Sequence, residues 1–167
     1  AERSEAALET FADSGGAAEP RRRRPCEVRG SRVGGVAVST LVGVVDPIRE
    51  LGRLALDRGL LFHVDGCIGG FLLPYFARLG APVPDFDFSV PGVTSMSMDF
   101  HKYAFCPKGA SVVLYRDKEL RKFQIFSCSS WTGYTILNPT IQSTKSGGPL
   151  AAAWATLHAI GDDGYLA

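Results

Sequence analysis

The sequence predicts an α/β fold with a mostly parallel sheet flanked by helices, and three observations lead to it. Strand-like and helix-like segments alternate from Val33 onward. Two of the strand-like segments end in polar clusters, at Asp65 and at Asp99 to Lys102. The composition, 46% hydrophobic and 21% charged over 167 residues, is that of one globular domain with a real core.

Residues 1–32 are rich in Ala, Glu, Arg, Gly and Pro and carry the run Arg21 to Arg24 ahead of Pro25. Without interleaved aromatics this reads as a solvated, disordered tail rather than a nucleic-acid arm. Residues 33–167 form the domain proper. VGGVAVSTLV, from Val33, is β-branched and reads as a buried strand. In DPIRELGRLALDRG, Asp46 is the expected N-cap and Pro47 the first helical residue. Ile48, Leu51 and Ala55 share one face there, and Gly59 is the stop.

LLFHVD alternates Leu61, His63 and Asp65 against Leu60, Phe62 and Val64, a half-buried strand ending in a carboxylate. GGFLLPYFARLG is a helix, with Pro74 expected near its first turn. Val93 to Asp99 is a strand with Ser95, Ser97 and Asp99 on one face, and ASVVLYRD is another. The last helix, PLAAAWATLHAIG, has Leu150, Ala153, Trp154 and Leu157 as its apolar stripe.

Charge and cysteine usage exclude several classes. Lys plus Arg (18) nearly equals Asp plus Glu (17), so no global field holds nucleic acid or an anionic membrane. Cys26, Cys67, Cys106 and Cys128 make no C-x-x-C pair, which argues against a zinc or dithiol site and suits a reducing cytoplasm. No apolar run is long enough for a membrane span and no signal-peptide core is visible, so a cytoplasmic location is expected.

In open α/β sheets, ligands bind beyond the carboxyl ends of the strands, where Asp65 and Lys102 both fall. A lysine amine there can attack a carbonyl, and a carboxylate opposite can keep a pyridine nitrogen protonated, which together are what pyridoxal 5′-phosphate requires. Taken singly, Lys102 also reads as a surface lysine and Asp65 as a helix N-cap. His63 and His101 also read as satisfied strand-end histidines. Lys108 reads as a turn residue, His158 as structural, Cys67 and Cys106 as inert packers, and Trp131 as a core anchor.

Longer motifs narrow this. The series GVVDPI, HVDGCIGG, F-D-F-x-V-x-G-V-T-S, D-x-H-K-Y, P-K-G-x-S, the pieces at Trp131 and Pro139, and Gly147-Gly148 runs in order from about Val33 to Tyr165. It resembles the pyridoxal-phosphate-dependent group II decarboxylase family, most closely its sphingosine-1-phosphate lyase branch. The resemblance implies part of the large domain of a fold-type I PLP-dependent transferase. Lys102 matches the lysine that bonds to the cofactor, and Asp65 the partner of its pyridinium nitrogen. Asp99 and His101 match polar groups near the cofactor phosphate, and Cys67 a small side chain by the ring. Gly147 and Gly148 match a loop near the partner subunit's phosphate site, which implies a homodimer.

The activity implied is retro-aldol cleavage of a phosphorylated long-chain base, a small-molecule amine, to a fatty aldehyde and phosphoethanolamine. Amino-acid decarboxylation uses the same anchors, and a truncated non-catalytic remnant is the third reading. The phosphate loop and ring-stacking residue expected well before Asp65 have no counterpart here. Gly66 stands for a usual alanine, and Tyr134, Ile136 and Lys145 replace an expected glycine, tyrosine and arginine.

Overall fold

A computed structural model describes residues 32–36, 44–130, 132–140 and 144–167. The chain up to residue 31, residues 37–43 with the whole VSTLV segment, and Trp131 lie outside these described residues, and with them the expected tail and the expected tryptophan anchor. Arg32 already belongs to a strand, pairing with Leu61.

Four strands form one sheet in the order β1 (Arg32–Val36), β2 (Leu61–Asp65), β3 (Ser95–Asp99) and β4 (Ser111–Tyr115). The first three are parallel, and β4 returns antiparallel to β3. Parallel neighbours need crossovers, and helices provide them: α1 (Ile48–Arg58) between β1 and β2, and α2 (Gly69–Arg78) between β2 and β3. A short helix α3 (Lys118–Arg121) and a β5–β6 hairpin (Phe126–Cys128, Ile136–Asn138) follow β4. The final helix, α4 (Gly147–Leu166), kinks at Gly161, whose φ of 64° only glycine adopts freely.

The alternation read in β2 sorts the sheet into two faces. Phe62, Val64 and Met96 point to the helices and pack with Ile48, Ala55, Leu73, Val90 and Val93 in the main core. The register pairs His63 with Ser95 and Asp65 with Ser97, so the opposite face carries the polar side chains. A second, smaller core joins Ala104, Cys106 and Ala110 of the loop after β3 to Ala153 of α4, with Phe71, Phe100 and Leu157 around it. Tyr165 closes it by donating from its hydroxyl to the Ala104 carbonyl at 2.8 Å.

Three local expectations need correction. The α1 cap position falls on Pro47 and makes no side-chain cap bond, while the Asp46 carbonyl accepts from the Ile48 N–H at 2.7 Å. Pro74 lies inside α2 rather than in its first turn, because the helix begins at Gly69 to let its backbone run against β3. A Cβ on Gly70 would sit 3.2 to 3.3 Å from Met96 and Met98. Of the expected α4 stripe only Ala153 and Leu157 turn inward, and Leu150 and Trp154 stay exposed because no described element covers that side.

One tertiary tie was not legible in the sequence. Arg116, just past β4, donates to the carbonyls of Val93 (2.6 Å), Val90 (2.7 Å) and Phe88 (3.0 Å). This guanidinium fork pins the long connection that feeds β3.

Candidate active site

Asp65 and Asp99 end adjacent parallel strands on the same face, since Asp65 pairs with Ser97 and Asp99 lies two residues further along β3. Asp65 Oδ1 accepts from the Ser97 hydroxyl (3.1 Å) and from the Cys67 backbone N–H (3.0 Å). The Cys67 side chain is a further hydrogen-bond partner of this carboxylate. Burial pushes the Asp65 carboxyl up, but the bonds from Cys67 and Ser97 outweigh it and the net direction is down. Asp65 is therefore an anion at neutral pH.

The Cys67 sulfur lies 3.6 Å from the Ser97 hydroxyl. Burial, and then the neighbouring Asp65, raise its thiol, so it is a packing group and not a thiolate nucleophile. Burial also lowers His63, against the pull of Asp65, and its Nδ1 is hydrogen-bonded to Ser95 Oγ at 2.9 Å.

Beyond β3 the chain turns sharply. The N–H groups of Phe100 and His101 both bond the Ala110 carbonyl, and the Phe105 N–H bonds the Lys102 carbonyl. Phe105 holds φ at 57°, a conformation bulky residues rarely adopt, so the turn is strained where it presents Lys102. The Lys102 ammonium donates to Asp99 Oδ2 at 3.0 Å, and His101 Nε2 lies 3.6 Å from the same oxygen. Ser111 of β4 donates to Asp99 Oδ1 at 2.5 Å. The bond to Asp99 raises Lys102 most, and the charge of Asp65 adds to it, so Lys102 and Asp65 share one local field.

Five of the expected site residues thus fall in two groups at neighbouring strand ends, Asp65 and Cys67 with Ser97, and Asp99, His101 and Lys102 with Ser111. Gly147 and Gly148 join neither. They open α4, where the Ser146 hydroxyl accepts from the Gly148 N–H at 3.3 Å, and Gly147 lines a cleft with Ser111 and Phe100. Ser97 and Ser111 were missed as site residues, although the alternation Ser95, Ser97, Asp99 already placed Ser97 beside Asp65.

Over 124 residues the chain is 52% identical to a sphingosine-1-phosphate lyase of Arabidopsis thaliana, covering 74% of this chain and 23% of that protein. Sphingosine-1-phosphate lyase 1 of Rattus norvegicus is 46% identical over 125 residues, again 74% of this chain and 22% of that one. A solved sphingosine-1-phosphate lyase of Burkholderia pseudomallei superposes with a TM-score of 0.77 at 43% identity, covering 81% of this chain and 31% of that chain. The chain is a homologue of part of the sphingosine-1-phosphate lyases. It spans about a quarter of the length of these relatives.

A Lactobacillus brevis glutamate decarboxylase, 24% identical with a TM-score of 0.64 over 80% of this chain and 31% of its own, shares the fold. The fold is accordingly part of the large domain of the fold-type I PLP-dependent enzymes. No family model matches the sequence. Where the chain departs from the lyase pattern at Gly66, the structure gives a reason. A Cβ there would sit 2.7 Å from the Met96 methyl and from the Ser97 carbonyl, so β2 and β3 are closed tightly at this point.

Proposed function

We propose that this chain supplies the amine and carboxylate anchors of a PLP-dependent carbon–carbon lyase, cleaving a phosphorylated long-chain base to a fatty aldehyde and phosphoethanolamine. The observation that carries this is the pair of groups at the ends of two neighbouring parallel strands: a lysine amine at Lys102, just past β3, and a carboxylate at Asp65, ending β2 and held anionic by Ser97 and Cys67. Those are the two groups pyridoxal 5′-phosphate needs, one for its aldehyde and one for its ring nitrogen. When bound, the cofactor supplies an electron-poor conjugated ring that accepts the electron pair of the breaking bond.

The residues divide the remaining work. Asp65 would hold a proton on the ring nitrogen of the bound cofactor, and Ser97 and the Cys67 N–H keep its carboxylate aimed and ionised. Cys67, with its thiol neutral, fills space beside the ring. Lys102 would be the amine that holds the cofactor's aldehyde, and as a free amine it could hold or deliver protons beside the substrate. His101 stands next to Lys102 on the rigid turn, and Gly147 and Gly148, in the first turn of α4, suit contact with a phosphate anion in a homodimer. Cys67 and Cys106 are free thiols, which supports a cytoplasmic setting.

Mixing the purified chain with pyridoxal 5′-phosphate is expected to give an absorption band of a lysine conjugate that Lys102→Ala removes. No band in the wild-type chain would overturn the cofactor reading and favour a non-catalytic remnant. With a phosphorylated sphingoid base added, release of phosphoethanolamine is the expected result. Carbon dioxide released from amino acids instead would mean a decarboxylase.

A further inference from the structure

Asp99 is the acid at these strand ends that the proposed chemistry leaves without a task. It is 8% exposed, and neither oxygen is spare. Ser111 holds Oδ1 at 2.5 Å from across the antiparallel pair, and Oδ2 takes the Lys102 ammonium at 3.0 Å. A buried carboxylate occupied in this way would repel a phosphate rather than bind it. What it does hold is the one amine on which the site depends.

We propose that Asp99, braced by Ser111, is a positioning residue for Lys102: it keeps the amine as a hydrogen-bonded ammonium, and Lys102 attacks an aldehyde only when that pair opens. This rests on reading Lys102 as the cofactor-bonding amine. A neutral amine and an aldehyde give one C=N bond and one water. Starting from the ammonium, one further proton passes to solvent. The other groups facing Lys102 cannot replace Asp99. His101 has its Nδ1–H on the Ala110 carbonyl at 3.1 Å and its Nε2 turned to the same Asp99 oxygen, while Asp65, at the end of β2, acts through the field alone and the neutral Cys67 thiol lies against Ser97. The turn itself is fixed by the bonds to Ala110 and by Phe105, so the side-chain pair is the part free to open.

Acetylation of the full chain by acetic anhydride across a pH series, mapped peptide by peptide, reads the availability of the Lys102 amine without any cofactor. Lys108, exposed in the following turn, serves as the internal reference. Asp99→Asn is expected to move the Lys102 labelling curve to lower pH and raise labelling near neutrality about ten-fold, with Lys108 unchanged. Ser111→Ala, which leaves both charges in place, is expected to move it part of the way, and it decides the matter if Asp99→Asn does not fold. Asp99→Glu is expected to restore much of the wild-type curve. Superimposable Lys102 curves in wild type and the folded variants would overturn the proposal. A parallel series with pyridoxal 5′-phosphate and borohydride separates the two readings. Conjugation at Lys102 with unshifted curves removes only the role of Asp99, whereas shifted curves without conjugation keep that role and remove the cofactor assignment.

Discussion

Asp99 and Asp65 also tie the site to stability. Burial pushes the Asp99 carboxyl up, but the bonds from Ser111 and Lys102 outweigh it and leave it below the ordinary carboxylate value of about 4. A group depressed on folding contributes stability that is complete above its unfolded pKa and lost as pH falls through the folded one. The wild-type chain is therefore expected to lose melting temperature steeply below about pH 4. Asp99→Asn is expected to cost about 1–3 kcal/mol near neutrality, by removing the charge that Lys102 faces and turning one of the two acceptor oxygens into a donor, and to flatten the acid limb. Thermal melts over that range check this, and parallel acid limbs would contradict it. At this scale Lys102 and Asp65 were legible in the sequence because chemistry needs those residue types at strand ends. Ser111 was not, because its contact with Asp99 depends on the antiparallel register of β4, which no local pattern encodes.

The elements that hold the site depend on contacts between backbones. Gly92 lies so close to Gly52 of α1 that a Cβ would fall within 2.6 Å of three of its backbone atoms. Gly92→Ala is expected to force α1 away from the connection leading into β3 and to cost roughly 2–3 kcal/mol, measured by urea unfolding. Arg116→Met removes the fork that pins the same connection from the other side. It is expected to cost about 1–3 kcal/mol in the same measurement, and an unchanged midpoint would show that the fork is decorative. Helix α1 was readable because its signals are local: Gly59 ends it with φ at 62°. Strand β2 was readable because its alternation matches its burial, with Phe62 and Val64 inside. The interior position of Pro74 and the exposure of Trp154 were not readable, since both depend on which neighbour an element meets.

Among the described residues, α1 and α2 cover one face of the sheet, and only Leu120 and the turn after it lie over the other, which is largely open. Val113, Phe123, Phe126, Leu137, Leu150 and Trp154 are all exposed, and β1 and β4 are the outer strands among the described residues. Open sheet edges and apolar patches of this kind promote association. Size-exclusion chromatography at micromolar concentration is expected to show species larger than the 17.9 kDa chain. A clean monomer that persists on dilution would contradict this. The same open face leaves the ends of β2 and β3 accessible, and that makes the central claim directly measurable. The chain is incubated with pyridoxal 5′-phosphate, reduced with borohydride and mapped by mass spectrometry. The expected result is modification concentrated on Lys102 over Lys108, Lys118, Lys122 and Lys145, and weakened by Asp65→Asn. Modification spread evenly over these lysines and indifferent to Asp65 would contradict it.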